Sequence, residues 1–206
     1  MSEQDFLARR DVSRETLDRL RIYDRLLHKW NPAINLVSKT TLEAVWSRHF
    51  LDSAQVFDIS DPSAASWADL GSGGGFPGLV VAILAAGQGR DQAMTLVESD
   101  TRKAAFLMTV ARETGIKVAV KPVRIEALEP LSCDILSARA LAPLAKLLEF
   151  CERHLRPGGQ ALFPKGANHA EELRQALETW SFSYDTVPSA TDPDAVVYSL
   201  REIRRV

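Results

Sequence analysis

The stretch DLGSGGGFPG, residues 69–78, carries the plainest chemical meaning in the chain. Four of the five residues 71–75 are glycine. Glycine lets a chain turn with positive φ and lets backbone approach a ligand closely. The stretch follows a predicted strand and opens a predicted helix, which is where open α/β sheets take up ligands. The free N–H groups of such a helix favour a carboxylate or phosphate. Gly73 to Gly78 also satisfy G-x-G-x-x-G. Glu98 ends the next predicted strand, 20 residues beyond Gly78. A carboxylate there accepts two hydrogen bonds from the vicinal hydroxyls of a ribose. Gly73 and Glu98 therefore make a candidate nucleoside site. The pair does not separate NAD from S-adenosylmethionine. A tight structural turn beside a solvated strand-end glutamate is the plain alternative.

The elements that must position these residues follow from periodicity. Residues 13–30 read as a helix, with Ser13 as N-cap, Leu17, Leu20, Tyr23, Leu27 and Trp30 at helical spacing, and Asn31-Pro32 as its end. Thr40 and Glu43 form a candidate capping box for a second helix carrying Leu42, Val45, Trp46 and Phe50. The polar segment 58–66 marks a boundary between an N-terminal helical segment, residues 1–60, and a second unit, residues 61–206. There, strands are predicted at 66–70, 94–98, 117–120, 133–137, 160–163, 183–187 and 195–203. Helices are predicted at 78–86, 101–114, 142–155 and 168–180, with Arg156-Pro157-Gly158-Gly159 as a turn. Strands alternating with helices imply a mainly parallel α/β sheet covered on both faces, here seven-stranded and closed by an antiparallel terminal hairpin.

Composition sets outer bounds. Hydrophobic residues make up 46% of the 206 residues and charged residues 25%, enough to bury a core without staples. Cys133 and Cys151 are too few for a disulfide framework and read as small buried hydrophobes in a reducing compartment. The N-terminus lacks the apolar core of a secretion signal, and the longest apolar run, residues 79–86, falls far short of the ~20 residues of a membrane span. The expectation is a soluble, cytoplasmic protein without a membrane partner. No His/Cys/Asp cluster has metal-ligand spacing, so no metal is expected. Net charge is −2, so a nucleic-acid substrate requires the positive charge to gather on one face.

Further motifs extend the pattern: HKWNPAINL (28–36), RHFLDS (48–53), KAAFL (103–107), RIE (124–126), SARA (137–140) and FPKG (163–166). Together with the glycine stretch, in this order and spacing, they resemble the RsmG (GidB) family, the guanine-N7 methyltransferases of bacterial 16S ribosomal RNA. The resemblance runs from about residue 27 to residue 197. It implies a Rossmann-like class I methyltransferase fold, S-adenosyl-L-methionine as cofactor, and 16S rRNA in the small ribosomal subunit as substrate, with guanine 527 as target. It also implies cofactor contacts for Gly71, Phe76, Ile125, Glu126 and Arg139, with the adenine beside Ile125 and Glu126. Gly73 and Glu98 join this set from the argument above. Many relatives carry Asp where this chain has Glu98. A monomer is expected.

The implied chemistry explains why no catalytic acid or base stands out. Guanine N7 carries a lone pair and no proton, so its attack on a methyl sulfonium needs no general base. N7 faces the deep, narrow groove of A-form RNA, so the target must lie in a loop or be extruded. Candidate backbone contacts are Arg48, Arg102, Lys103, Lys165, Arg14, Arg21, Arg25 and Lys29. His28 reads as a helix-end residue, and His49 as an ordinary interface histidine. Three competing functions stay open: an NAD(P)-dependent oxidoreductase, a small-molecule methyltransferase, and a non-catalytic ribosome-binding factor.

Overall fold

The alternation of apolar strands and helices builds a seven-stranded sheet in the computed structural model, which describes residues 3–206. Strands β1 (Ser66–Leu70), β2 (Ala93–Val97), β3 (Ala119–Lys121), β4 (Cys133–Ala138) and β5 (Leu155–Lys165) pair in parallel. β6 (Trp180–Pro188) and β7 (Val196–Arg205) form the antiparallel hairpin, and β7 lies antiparallel to β5. The order is β3-β2-β1-β4-β5-β7-β6, in agreement with the expected fold class. The chain winds outward from β1 to β3 and then returns to β4 on the other side of β1. Connections therefore leave β1 and β4 in opposite directions, and a crevice opens beyond their carboxyl ends.

Side chains alternate between two cores. Trp67, Leu96, Ile135 and Leu162 join one, and Ala68, Val97, Leu136 and Phe163 the other. The first core lies under α2 (Arg14–Ile34), α4 (Asp52–Asp58), α5 (Gly78–Gly87) and α6 (Thr101–Thr114), and it includes Phe6 of α1 (Glu3–Arg9). The second lies under α7 (Leu144–His154). Helix α5 is apolar all round because α2 and α4 cover the side that the sheet does not. Leu20, Tyr23 and Leu27 of α2 are fully buried, each contributing about 1.5–3 kcal/mol. Cys133 and Cys151 are free and buried, and burial pushes the Cys133 thiol up to about 12. Among the described residues, no helix is long and apolar enough to cross a membrane.

Several predicted boundaries move. Ser13 caps α2 as expected, accepting the Thr16 N–H at 3.1 Å, but the helix runs through Pro32 to Ile34. Pro32 removes a single ladder bond in the final turn, and just past the helix end the Asn31 Oδ1 accepts the N–H groups of Leu36 and Val37, both at 2.8 Å. Ser38, not Thr40, caps the next helix, α3, which is only Lys39–Leu42. A π-helical turn, Trp46–Leu51, then leads into α4, so the single helix predicted from Thr40 is broken. Helix α8 (His169–Ala176) stops short of Trp180, which instead opens β6 opposite Arg205. The predicted turn at residues 156–159 lies inside β5, as a bulge between the pairs Cys133–Leu155 and Ile135–Gln160.

Candidate functional site

The glycine loop after β1 folds over the crevice. Gly71, Gly73 and Gly75 all take positive φ, at 64°, 53° and 94°. At Gly73 a Cβ would meet nothing closer than the Gly71 carbonyl at 3.7 Å, so this glycine turns a bare α-carbon to open space. Glu98, just past β2 and 9% exposed, holds the loop. Its Oε2 accepts the Gly73 N–H and its Oε1 the Asp100 N–H, both at 2.8 Å. Each oxygen keeps a further lone pair for a ligand.

A cavity of about 720 Å³ opens here, within the size range of small-molecule and cofactor sites. All seven residues singled out from the sequence line it: Gly71, Gly73, Phe76, Glu98, Ile125, Glu126 and Arg139. Ile125 is buried in a 3-10 turn, Ile125–Ala127, and Glu126 beside it is exposed. Phe76 and His49 also line the cavity, in an aromatic stack that the fully buried Tyr23 backs from the core. Tyr23 lies on Phe76 (centroids 5.3 Å apart, 15° between planes), and Phe76 on His49 (4.6 Å, 20°). The Tyr23 hydroxyl donates to the Gly74 carbonyl, tying α2 to the loop. The Arg139 guanidinium sits 5.0 Å from the Phe76 centroid and meets His49 Nδ1 at 2.9 Å. Burial, then the charges of Arg139 and Arg48, pulls His49 down to about 3, so its ring is neutral.

The sequence reading assigned no part to Tyr23 and only an ordinary one to His49. It also passed over Asp69, although that residue opens the glycine stretch. Asp69 is fully buried, and its Oδ1 accepts the Ser137 hydroxyl at 2.7 Å, which in turn accepts Trp67 Nε1–H at 2.8 Å. This chain of bonds locks β1 to β4 at the mouth of the crevice. Burial raises the Asp69 carboxyl from 3.8 to about 6, with hydrogen bonds and the Arg139 charge opposing. The fold thus holds this proton more tightly than the unfolded chain does. Stability from Asp69 is full below about pH 4 and is lost as pH rises through about 6. Relative to Asp69→Asn, the wild type is expected to lose about 2 kcal/mol between pH 4 and pH 7, read by urea titrations. Parallel profiles for the two proteins would reject a titrating Asp69.

The candidate RNA contacts divide. Lys165 is 9% exposed at its side chain and held by Glu172 at 2.5 Å and the Ala142 carbonyl at 3.0 Å. Arg48 pairs with Asp192 at 3.1 Å, and Arg21 with Glu3 and Asp18. Burial and pairing take these three out of the free positive set. Arg102 is exposed and 3.4 Å from Asp100, and Lys103 lines the cavity. Arg14, Arg25 and Lys29 are exposed on one helix. His28 meets Asp24 at 2.9 Å on the same helix. No cluster of three or more His, Cys, Asp or Glu among the described residues could hold a metal ion.

A parallel sheet closed by an antiparallel hairpin, with a nucleoside-sized cleft where the strand order turns, defines a Rossmann-like class I methyltransferase. Solved structures share this architecture. A methyltransferase from Geobacter sulfurreducens matches with a TM-score of 0.60 at 13% identity, over 89% of this chain and 88% of that one. M. jannaschii TYW2, solved in complex with AdoMet, matches with a TM-score of 0.55 at 13% identity, over 82% and 78%. The GidB family model, described as rRNA small subunit methyltransferase G, matches residues 16–195, and the chain belongs to that family. A ribosomal RNA small subunit methyltransferase G from Ruegeria pomeroyi is 56% identical over 95% of this chain and 96% of its own length.

Proposed function

We propose that this protein transfers the methyl group of S-adenosylmethionine to N7 of a guanine in 16S ribosomal RNA. The observation that carries this reading is the shared cavity, which Glu98, the glycine loop, Ile125 and Arg139 line together. Family membership supplies the RNA substrate. We further propose a monomer acting in the cytoplasm on the small subunit, with residues 61–206 as the methyltransferase unit and residues 1–60 as a helical segment that covers the substrate side.

The residues present fit the cofactor. Glu98 offers its remaining lone pairs to two ribose hydroxyls, and Gly73 leaves room for the sugar to approach. Ile125 and Glu126 flank the adenine. Gly71, Phe76 and Arg139 form the wall at the reacting end. The bound cofactor supplies an activated methyl group. The protein's own contribution is then alignment of guanine N7 with that group, worth roughly 7–11 kcal/mol in favourable cases. No side chain needs to remove a proton from N7.

Incubation with labelled S-adenosylmethionine and small subunits lacking the modification tests the assignment. N7-methylguanosine mapped by chemical cleavage is the expected product, with guanine 527 as the site. Label confined to a small molecule, or absent, rejects it. Activity should also fall steeply with salt. If Arg14, Arg25, Lys29 and Arg102 each meet a phosphate, affinity should drop about 30-fold or more between 50 and 200 mM salt. A flat response would remove that basic face from the substrate path.

A further inference from the structure

The turn Ile125–Ala127 hangs on little of its own. It lies in the loop between β3 and β4, where Ile125 alone of residues 122–132 is buried. The loop's own backbone bonds are local: Val123 N–H to Lys121, Ala127 N–H to Arg124 and Leu128 N–H to Ile125. Among the described residues, the donors that reach it from outside both stand at the end of α7. Arg153 sends Nε and Nη2 to the Leu128 carbonyl, at 3.2 and 2.7 Å. His154 sets its Nε2 3.2 Å from the Ile125 carbonyl. Two consecutive residues thus hold the two ends of the turn.

His154 is a costly choice for packing alone. It is fully buried, and a carbonyl can only accept, so Nε2 carries the ring proton and Nδ1 is bare. Nδ1 is buried and has no hydrogen-bond partner. Burial lowers the His154 pKa from 6.5, with the Ile125 bond opposing and the Arg153 charge assisting, so the ring is neutral at neutral pH. Leucine or phenylalanine would fill such a space without a stranded acceptor. What the imidazole adds is one donor, delivered to the Ile125 carbonyl from inside the core. The backbone of His154 is pinned as well, because its carbonyl accepts from Cys133 Sγ at 3.2 Å, at the start of β4. Burial keeps the proton on that thiol.

We propose that His154, with Arg153 beside it, is a positioning residue that sets the adenine-binding turn in place without touching the cofactor. This rests on the reading above that Ile125 and Glu126 flank the adenine. Ile125 lines the cavity together with Glu98, and its carbonyl is tied to α7 behind it. The bond from Cys133 to His154 ties that end of α7 to β4 in turn. The carboxylate for the ribose and the turn for the adenine are thereby held to one sheet. A turn fixed beforehand loses less freedom when the adenine arrives, which is how a residue remote from the ligand raises its affinity.

The test compares S-adenosylhomocysteine with S-ribosylhomocysteine, which carries a hydroxyl in place of the adenine, by NMR titration. In the wild type, amide signals of residues 125–127 are expected to move with the first ligand and not with the second. Any other pattern takes the adenine away from this turn, so the site reading fails and this inference with it. Where the wild type behaves as expected, the variants test the inference alone. His154→Leu should bind S-adenosylhomocysteine about 10-fold more weakly, equivalent to about 1.4 kcal/mol, and S-ribosylhomocysteine within about twofold of wild type. His154→Gln, whose amide nitrogen can take the place of Nε2, should recover to within about threefold of wild type. Wild-type affinity in His154→Leu overturns the inference. So does an equal loss on both ligands, the mark of a generally loosened core, or a glutamine no better than leucine. If His154→Leu does not fold, Arg153→Ala decides, because that side chain is exposed. It should cost about threefold on S-adenosylhomocysteine alone, and an unchanged affinity rejects the inference.

Discussion

Glu98→Ala is expected to weaken S-adenosylmethionine binding by about 100-fold, read by titration calorimetry. Under the proposed function the carboxylate accepts both ribose hydroxyls. Hydrogen bonds to a charged acceptor are worth about 1.5–3 kcal/mol each, so losing two removes at least about 3 kcal/mol. The substitution acts a second time through the loop. Glu98 also accepts the N–H groups of Gly73 and Asp100, so alanine releases the turn that the ligand must approach. Glu98→Gln keeps the shape and one acceptor oxygen and should cost about 10-fold. An unchanged affinity in Glu98→Ala would place the ribose elsewhere.

Gly75→Ala should be the most destabilising single methyl group in the loop. At φ 94° a side chain is strained by about 1–2 kcal/mol. The added Cβ would also lie 2.6 Å from Leu79 Cδ1 and collide with the Tyr23 hydroxyl. Overpacking of this kind costs about 1–3 kcal/mol. The sum corresponds to a Tm lower by about 10 °C for a chain of this length. Tyr23→Phe removes the oxygen in the way, so the alanine should cost less in that background, a non-additivity measurable by a double-mutant cycle. A Tm within about 2 °C of wild type would mean that the loop accommodates a side chain freely.

The parts of the site that sequence revealed are those set by local rules. A strand, a glycine turn and an acidic residue one strand later are read along the chain, and Gly73 and Glu98 meet at 2.8 Å. The cavity also gathers Gly71, Phe76, Ile125, Glu126 and Arg139, which motif resemblance picked out without any physical argument. What stayed hidden depends on distant partners. His49 is a plain histidine until Phe76 stacks on it and Arg139 takes its Nδ1. Tyr23 looks like helix core until its hydroxyl finds a carbonyl 51 residues away.

Element boundaries failed for similar reasons. Asn31-Pro32 carries a stop signal, yet the helix runs on to Ile34, and the Asn31 Oδ1 anchors the chain beyond it through the N–H groups of Leu36 and Val37. Trp180 continues the helical spacing of Leu173 and Leu177, but pairing with Arg205 claims it for a strand. The π-helical turn at Trp46–Leu51 has no periodic signature at all. It arises where a wide turn, rather than an α-helix, seats Trp46, Phe50 and Leu51 in the core together.

The sandwich of Tyr23, Phe76 and His49 has a bearing on protein engineering. Two of its three rings belong to the leading helices and only the middle one to the loop. A chimera that transplanted those helices from an unrelated methyltransferase, even one of matching length, would demolish a wall of the cleft while leaving every glycine in place. Swaps of this kind can succeed only if the donor brings its own pair of rings to grip the phenylalanine.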